Sequence, residues 1–206
     1  MPQQSCVASS LLWLALPLAF GAIAATVGNA ADDSMNHQRE LHGPLITQME
    51  YTIAPLQLVR ADGKTVSLAA ELNDGRPVVL NFIYTTCETT CPLSSATFAM
   101  VQKQLGAEHA RVHLMSISID PEQDTPARLR AYAKKFDAGP KWQFYTGTPQ
   151  ASYAAQRSFA VYYGDKMSHT PVTLMRMAPG RPWTRIEGFV TAEQLLRNYH
   201  DLLAAL

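Results

Sequence analysis

The sequence predicts an α/β fold in which a central mixed sheet is flanked by helices. Two apolar runs, at 78–84 and 112–119, are typical of strands that are covered on both faces. Each run is followed by a segment with helical spacing or helix start signals. Strands that alternate with helices favour right-handed crossovers and a mainly parallel sheet, and a hairpin near the C-terminus adds an antiparallel edge.

The other elements follow from turn and capping signals. Thr125 before Pro126 is a standard helix start, and Thr191 caps the last helix. In chain order the sequence predicts a hairpin at 56–68, a strand at 78–84, a helix at 92–105, a strand at 112–119, a helix at 125–136, a short strand at 142–145, a helix at 150–159, strands at 172–177 and 185–189, and a helix at 191–205. This order predicts a thioredoxin-like fold with an N-terminal hairpin and an inserted helix.

The helix predicted at 92–105 follows directly on the strand at 78–84. Leu93, Phe98, Val101 and Leu105 recur at a spacing that predicts a core-facing side. Gly106 ends the helix.

Composition excludes some classes of function. The chain has 206 residues, 47% of them hydrophobic and 17% charged, which is typical of a globular domain. Lys plus Arg equals Asp plus Glu at 17 each, so the net charge is zero. Because the sequence has no basic stripe or cluster, nucleic acid is not an expected partner.

The N-terminal region predicts export. An uncharged apolar run from Leu11 to Val27 ends in small residues before the first acidic ones, which is typical of a secretory signal. We therefore predict a signal peptide at 1–30, with an uncleaved membrane anchor as the alternative. Residues 31–50 are predicted to be a flexible tether, and residues 51–206 the folded domain. The expected location is the periplasm, either soluble or attached to the membrane by that segment.

Two of the three cysteines carry the chemical signal. Cys6 precedes the apolar run, whereas Cys87 and Cys91 lie where a buried strand meets a helix. A helix N-terminus favours an anion and is expected to lower the pKa of both thiols. The four-residue spacing places both side chains on one side of a helical turn. A structural disulfide across so short a loop stabilises little, so a reactive or metal-binding pair is favoured.

A third ligand is predicted from chain position. His169 and Thr170-Pro171 lead into the strand at 172–177. In thioredoxin folds this loop carries a cis-proline beside the active-site cysteines, so a cis peptide at Pro171 and an imidazole near the two sulfurs are expected. The other histidines are predicted to lie in the tether, at the opposite edge of the sheet or in the last helix: His37, His42, His109, His113 and His200. Two thiolates and one imidazole form a soft set that suits copper, whereas structural zinc usually takes four ligands.

Two segments resemble the Sco/SenC family. These are VVLNFIYTTC at 78–87, continued by Cys91-Pro92, and SISIDPEQDTP at 116–126. The resemblance implies one copper ion, Cu(I) or Cu(II), bound per chain by Cys87, Cys91 and His169. It also implies delivery of copper to the binuclear centre of cytochrome c oxidase, or thiol–disulfide reduction that prepares that centre. Expected partners are the copper subunit of that oxidase or another exported cuproprotein, together with an upstream copper donor or thiol reductant.

The sequence departs from the family pattern around the histidine. The family often has Asp-His-Ser where this chain has Ser168-His169-Thr170. This difference leaves open an acceptor other than cytochrome oxidase.

Two classes of function stay open from the sequence. One is a metallochaperone, and the other is an enzyme that exchanges thiols and disulfides with Cys87 and Cys91 as catalytic residues. His169 favours the first, because disulfide exchange needs no ligand there. A peroxiredoxin-type peroxidase is disfavoured, since Tyr84 and Glu88 stand where that scaffold has Thr or Ser before its reactive cysteine.

Overall fold

The computed structural model describes residues 43–206, which form one mixed sheet of eight strands with helices packed around it. The strands are β1 (Leu45–Met49), β2 (Gln57–Arg60), β3 (Thr65–Ser67), β4 (Val78–Ile83), β5 (His113–Ser118), β6 (Trp142–Thr146), β7 (Val172–Arg176) and β8 (Trp183–Glu187). The helices are α1 (Leu68–Leu72), α2 (Thr90–Leu105), α3 (Pro126–Lys135), α4 (Pro149–Ser158) and α5 (Ala192–Ala204). Short 3₁₀ turns occupy Gly106–Arg111 and Lys166–Ser168.

The sheet is parallel only at its centre. Its strand order is β1-β8-β7-β4-β5-β6-β2-β3, and the parallel pairs are β4 with β5 and β5 with β6. The other pairs are antiparallel, because β7 returns against β4 and the β2–β3 hairpin docks against β6. The mixed sheet is confirmed, and the expectation of a mainly parallel sheet is wrong.

Local sequence signals locate most elements within two or three residues. The hydroxyls of Thr125 and Thr191 accept backbone N–H bonds at the starts of α3 and α5, as predicted. The predicted hairpin turn closes with a bond from Arg60 N–H to the Lys64 carbonyl at 2.9 Å. The predicted core-facing side of α2 is wrong at Leu93, which is 56% exposed because the first turn of α2 projects it away from the sheet.

The folded region begins before the predicted boundary at residue 51. Leu45–Met49 form β1, which pairs antiparallel with β8 along its whole length. The predicted tether at 31–50 therefore differs from the structure over these residues. Their mostly exposed side chains explain why the sequence carries no strand pattern there. The predicted signal segment and the first part of the tether lie outside the described residues.

Within residues 43–206, no helix is both long and apolar enough to cross a membrane.

Candidate functional site

The two cysteines lie in the segment that connects β4 to the first turn of α2. The Tyr84 carbonyl accepts a hydrogen bond from the Cys87 N–H at 3.2 Å and turns the chain after the strand. α2 begins at Thr90, two residues before the predicted start, so Cys91 lies inside its first turn. The backbone N–H of Cys91 donates to the Cys87 sulfur at 3.3 Å. Both thiols are free and buried, and they lie against each other at the predicted edge of the sheet.

Cys87 is held as the anionic partner of the pair. Burial alone would raise its pKa, but hydrogen bonding outweighs burial. The Thr90 hydroxyl lies 3.5 Å from the sulfur, and the backbone N–H groups of Cys91 and Thr89 also stabilise the thiolate. Together they lower the pKa of Cys87 to about 6. At neutral pH its sulfur is therefore largely a thiolate, which is the nucleophilic and metal-binding form.

Cys91 behaves in the opposite way. Burial, together with the neighbouring Cys87 sulfur, raises the pKa of Cys91 to about 12. The expectation that the helix terminus lowers the pKa of both thiols therefore holds for Cys87 and is wrong for Cys91. The site combines one ready thiolate with one protonated thiol, and a ligand that needs both sulfurs must displace one proton.

His169 is a buried imidazole without a hydrogen-bond partner. It is 7% exposed, and neither of its ring nitrogens makes a hydrogen bond of normal geometry, although the Phe82 carbonyl lies nearby. Burial lowers its pKa, although the nearby Phe82 carbonyl opposes that shift. The Tyr163 ring packs edge-on against the imidazole, with 5.9 Å between the two ring centroids. The ring is therefore neutral at neutral pH, with nitrogen lone-pair capacity that no protein group uses.

The sheet register brings the histidine loop to the cysteine loop. β7 runs antiparallel to β4 with Asn81 opposite Thr173, so the segment before β7 lies beside the end of β4. The Tyr84 hydroxyl contacts the Met167 sulfur at 3.6 Å across this junction. Peptide bonds within residues 43–206 are all trans, so the expected cis peptide at Pro171 is wrong.

The three predicted ligands share one end of the sheet without forming a closed cage. In the part of the chain that the structure describes, no three His, Cys, Asp or Glu side chains are close enough to hold a metal ion. An ion bridging the two sulfurs and the imidazole therefore requires the His169 side chain and the thiols to move toward each other. A cavity of about 300 Å³ opens beside His169 and leaves its loop accessible.

The other described histidines have structural surroundings. His113 is the first residue of β5, at the end of the sheet opposite the cysteines. Its ring is hydrogen bonded to the Glu71 carbonyl at 3.1 Å and to the Tyr145 hydroxyl at 2.9 Å. His109 lies in the preceding 3₁₀ turn and His200 on α5. His37 and His42 fall outside the described residues.

Two carboxylates near the site were not predicted. Asp124 accepts hydrogen bonds from Thr85, and Asp120 forms an ion pair with Lys166. Both belong to the SISIDPEQDTP segment at 116–126, which the family resemblance singled out without assigning a role to either carboxylate. Its signal was the run of polar residues directly after a buried strand, at the edge where α/β sheets place ligands.

The sequence of the folded region matches one protein family. The SCO1/SenC family model matches residues 46–204. The chain is 38% identical over 104 residues to the SCO1 protein homolog of Bacillus subtilis, a match that covers 50% of this chain and 53% of that protein. The chain thus spans about half the length of that curated relative.

Solved structures give the same result. The crystal structure of Arabidopsis thaliana ScoI with copper bound superposes with a TM-score of 0.64 at 25% identity, covering 74% of this chain and 98% of that one. BsSco, described as a member of the Sco family of cytochrome c oxidase assembly proteins with a disulfide switch, gives a TM-score of 0.58 at 29% identity, covering 69% and 86%. The chain belongs to the SCO1/SenC family, and its predicted thioredoxin-like fold is confirmed.

Proposed function

We propose that this protein binds one copper ion through Cys87, Cys91 and His169 and delivers it to a respiratory copper site. The acceptor would be the binuclear centre of cytochrome c oxidase or a similar exported cuproenzyme. The observation that carries the proposal is His169: a neutral, buried imidazole whose ring nitrogens make no hydrogen bond of normal geometry, on the loop beside the cysteine segment. A buried polar group without a partner costs about 1–3 kcal/mol, which a ligand at that nitrogen would recover.

The donor set suits copper better than other metals. Thiolate sulfur is a soft ligand that selects Cu(I), and a mixture of sulfur and imidazole nitrogen also accepts Cu(II). With two thiolates, a Cu(I) site carries one net negative charge and a Cu(II) site none. Either charge is tolerable beside the N-terminus of α2. The copper bound in the Arabidopsis ScoI structure supports the same assignment.

Transfer would proceed by ligand exchange. Thiolates of the acceptor would replace those of Cys87 and Cys91 one at a time, so copper stays coordinated throughout. The cavity that His169 helps to line gives an approaching group access to the histidine loop, while the ring nitrogens themselves are buried. Export through the predicted segment at 1–30 would place this exchange in the periplasm, with copper supplied by an upstream donor.

The test is anaerobic copper(I) binding by the reduced full chain in a Cys6→Ser background, which leaves two cysteines. We expect one tightly bound copper per chain, with weaker binding in Cys87→Ser, Cys91→Ser and His169→Ala. His200→Ala is the matched control, because that ring is exposed on α5. Unchanged affinity in His169→Ala would show that the third ligand is misassigned, and no tight binding by the parent chain would reject the copper site.

A second function is favoured by the different pKa values of the two thiols. The Cys87 thiolate would attack a partner disulfide, form a mixed disulfide and expel one partner thiolate. Cys91 would then lose its proton and attack the Cys87 sulfur, which releases the second partner thiolate and leaves a Cys87–Cys91 disulfide. The disulfide switch described for BsSco supports this alternative. In this case the protein would be a thiol–disulfide oxidoreductase that prepares the acceptor for copper.

His169 separates the two functions experimentally. Reduction of a disulfide-bonded acceptor peptide is expected to survive His169→Ala and to fail in Cys87→Ser. Copper transfer to the same peptide, once reduced, is expected to fail in both variants. Disulfide reduction without copper transfer by the parent chain would favour the oxidoreductase.

A further inference from the structure

The loop after β5 contains two buried carboxylates that the proposed copper site does not use. Asp120 is 7% exposed and Asp124 is fully buried. Burying an ionised carboxylate is costly unless hydrogen bonds or a cation compensate it. Asp124 is compensated by a residue of the segment that carries Cys87, and Asp120 by a residue of the segment that carries His169. We call residues 120–124 the Asp-Pro loop.

Asp124 holds the cysteine segment. Its oxygens accept a bond from the Thr85 hydroxyl at 2.5 Å and lie 3.2 Å from the Thr85 N–H. Thr85 is two residues before Cys87, at the point where the chain leaves β4. Bonds to a buried carboxylate are among the stronger hydrogen bonds in proteins. Asp124 therefore restrains the backbone at Thr85, two residues before Cys87.

Asp120 holds the histidine segment. Its carboxylate pairs with the Lys166 ammonium at 2.6 Å. The Lys166 carbonyl in turn accepts the backbone N–H of His169 at 3.2 Å. The ion pair is thus one hydrogen bond away from the backbone of the predicted ligand. Because the Lys166 side chain is 40% exposed, the pair is a modest restraint.

The two carboxylates are also tied to each other. The Asp124 N–H donates to the Asp120 carbonyl at 2.8 Å. The Ser118 hydroxyl donates to Asp124 at 2.6 Å and accepts from the Asp120 N–H at 3.0 Å. The Asp-Pro loop is therefore one hydrogen-bonded unit that reaches the cysteine segment at one end and the histidine segment at the other.

We propose, on the basis of the copper site proposed above, that Asp120 and Asp124 are positioning residues that set the separation between the thiols and His169. Asp124 acts on the thiol side through Thr85, and Asp120 acts on the imidazole side through Lys166. Without the restraint on Lys166, the His169 loop spends more time turned toward solvent. Copper must then bind from the less populated buried form, in which the imidazole has the shorter movement to make toward the thiols. The apparent affinity falls in proportion to the fraction of molecules in that form.

The test is a double-mutant cycle on copper(I) affinity in the full chain. Asp120→Asn and Lys166→Gln are each expected to weaken binding by about twofold to fivefold, the upper part of the range for a partly exposed ion pair. Neither is expected to have a further effect in a His169→Ala background, because each acts through that imidazole. Asp124→Asn is expected to weaken binding by about tenfold and to keep its effect in the His169→Ala background. If Asp124→Asn does not fold, Thr85→Val removes the hydroxyl half of the same contact.

Asp62→Asn is the matched control, because it breaks the Arg60–Asp62 ion pair in the β2–β3 turn. We expect it to bind copper as the parent chain does. The positioning role is overturned if Asp120→Asn binds like the parent, or if its effect adds fully to that of His169→Ala.

Hydrogen exchange of the copper-free chain tests the same role without the metal. Asp120→Asn is expected to speed exchange of the His169 amide, and Asp124→Asn that of the Thr85 amide. If the parent chain binds no copper, the proposed function fails while these exchange rates still test the restraint. Unchanged exchange at both amides would overturn the positioning role independently.

Discussion

The backbone N–H of Cys91 donates to the sulfur of Cys87 at 3.3 Å, so the second cysteine stabilises the anion of the first. The four-residue spacing and the helix start produce this contact together. Its consequence is a pair of thiols with opposite pKa shifts, Cys87 at about 6 and Cys91 at about 12. The first three predictions concern this pair and the buried histidines.

Thr90→Val is expected to raise the pKa of Cys87 by about one unit, because it removes a hydroxyl that stabilises the thiolate. The measurement is the pH dependence of iodoacetamide alkylation in a Cys6→Ser, Cys91→Ser background, with that background itself as reference. The matched control is Thr86→Val, an exposed threonine, which should leave the profile unchanged. Equal profiles for Thr90→Val and the reference would show that the Thr90 hydroxyl does not lower the pKa of Cys87.

Copper affinity is expected to rise with pH in a stepwise way. Above the Cys87 pKa of about 6, only the Cys91 proton must leave, so affinity gains about tenfold per pH unit. Below that pH both thiols must lose a proton, and the gain becomes about a hundredfold per unit. His169 adds little to this dependence, because burial lowers its pKa.

Chelator competition across this pH range measures the slope. In Cys91→Ser the slope at neutral pH should fall toward zero, because no thiol proton is left to displace. A pH-independent affinity in the parent chain would contradict coordination by both sulfurs.

The two buried histidines should respond oppositely to the same substitution. His169→Leu is expected to stabilise the copper-free protein by about 1 kcal/mol, because it removes a buried ring whose nitrogens have no partners. His113→Leu is expected to destabilise it by about 1–3 kcal/mol, because the Glu71 carbonyl and the Tyr145 hydroxyl each lose a partner. Urea unfolding of the copper-free chains measures both. Destabilisation by His169→Leu would mean that the ring contributes packing that outweighs its missing hydrogen bonds.

The start of the folded domain can be tested by truncation. A chain beginning at Gly43 keeps β1, whereas one beginning at Tyr51 exposes the edge of β8. We expect the shorter chain to be less stable by about 2 kcal/mol, since it loses ladder hydrogen bonds and the Gln48 to Thr184 side-chain bond. It should also aggregate more readily through its free edge.

Thermal unfolding of the two chains is the measurement, and a chain beginning at Ala31 is the control. Equal stability of all three would restore the predicted boundary at residue 51.

The sequence by itself determined the elements with strong local patterns. The apolar run that became β4 specifies a buried central strand, and Thr125 and Thr191 begin their helices through bonds to residues three positions away. It also determined the position of the cysteine pair, since Cys87 lies just before the start of α2 and Cys91 lies in its first turn, four residues away. These features depend on neighbours within a few residues, which a sequence pattern records.

Only the tertiary structure decided the features that depend on distant neighbours. β1 exists because β8 offers it an edge, and its own side chains are too exposed to carry a pattern. The raised pKa of Cys91 follows from burial by the assembled core. Asp124 reaches Thr85 across 39 positions of sequence. Burial and long-range hydrogen bonds are properties of the packed chain, so local spacing cannot specify them.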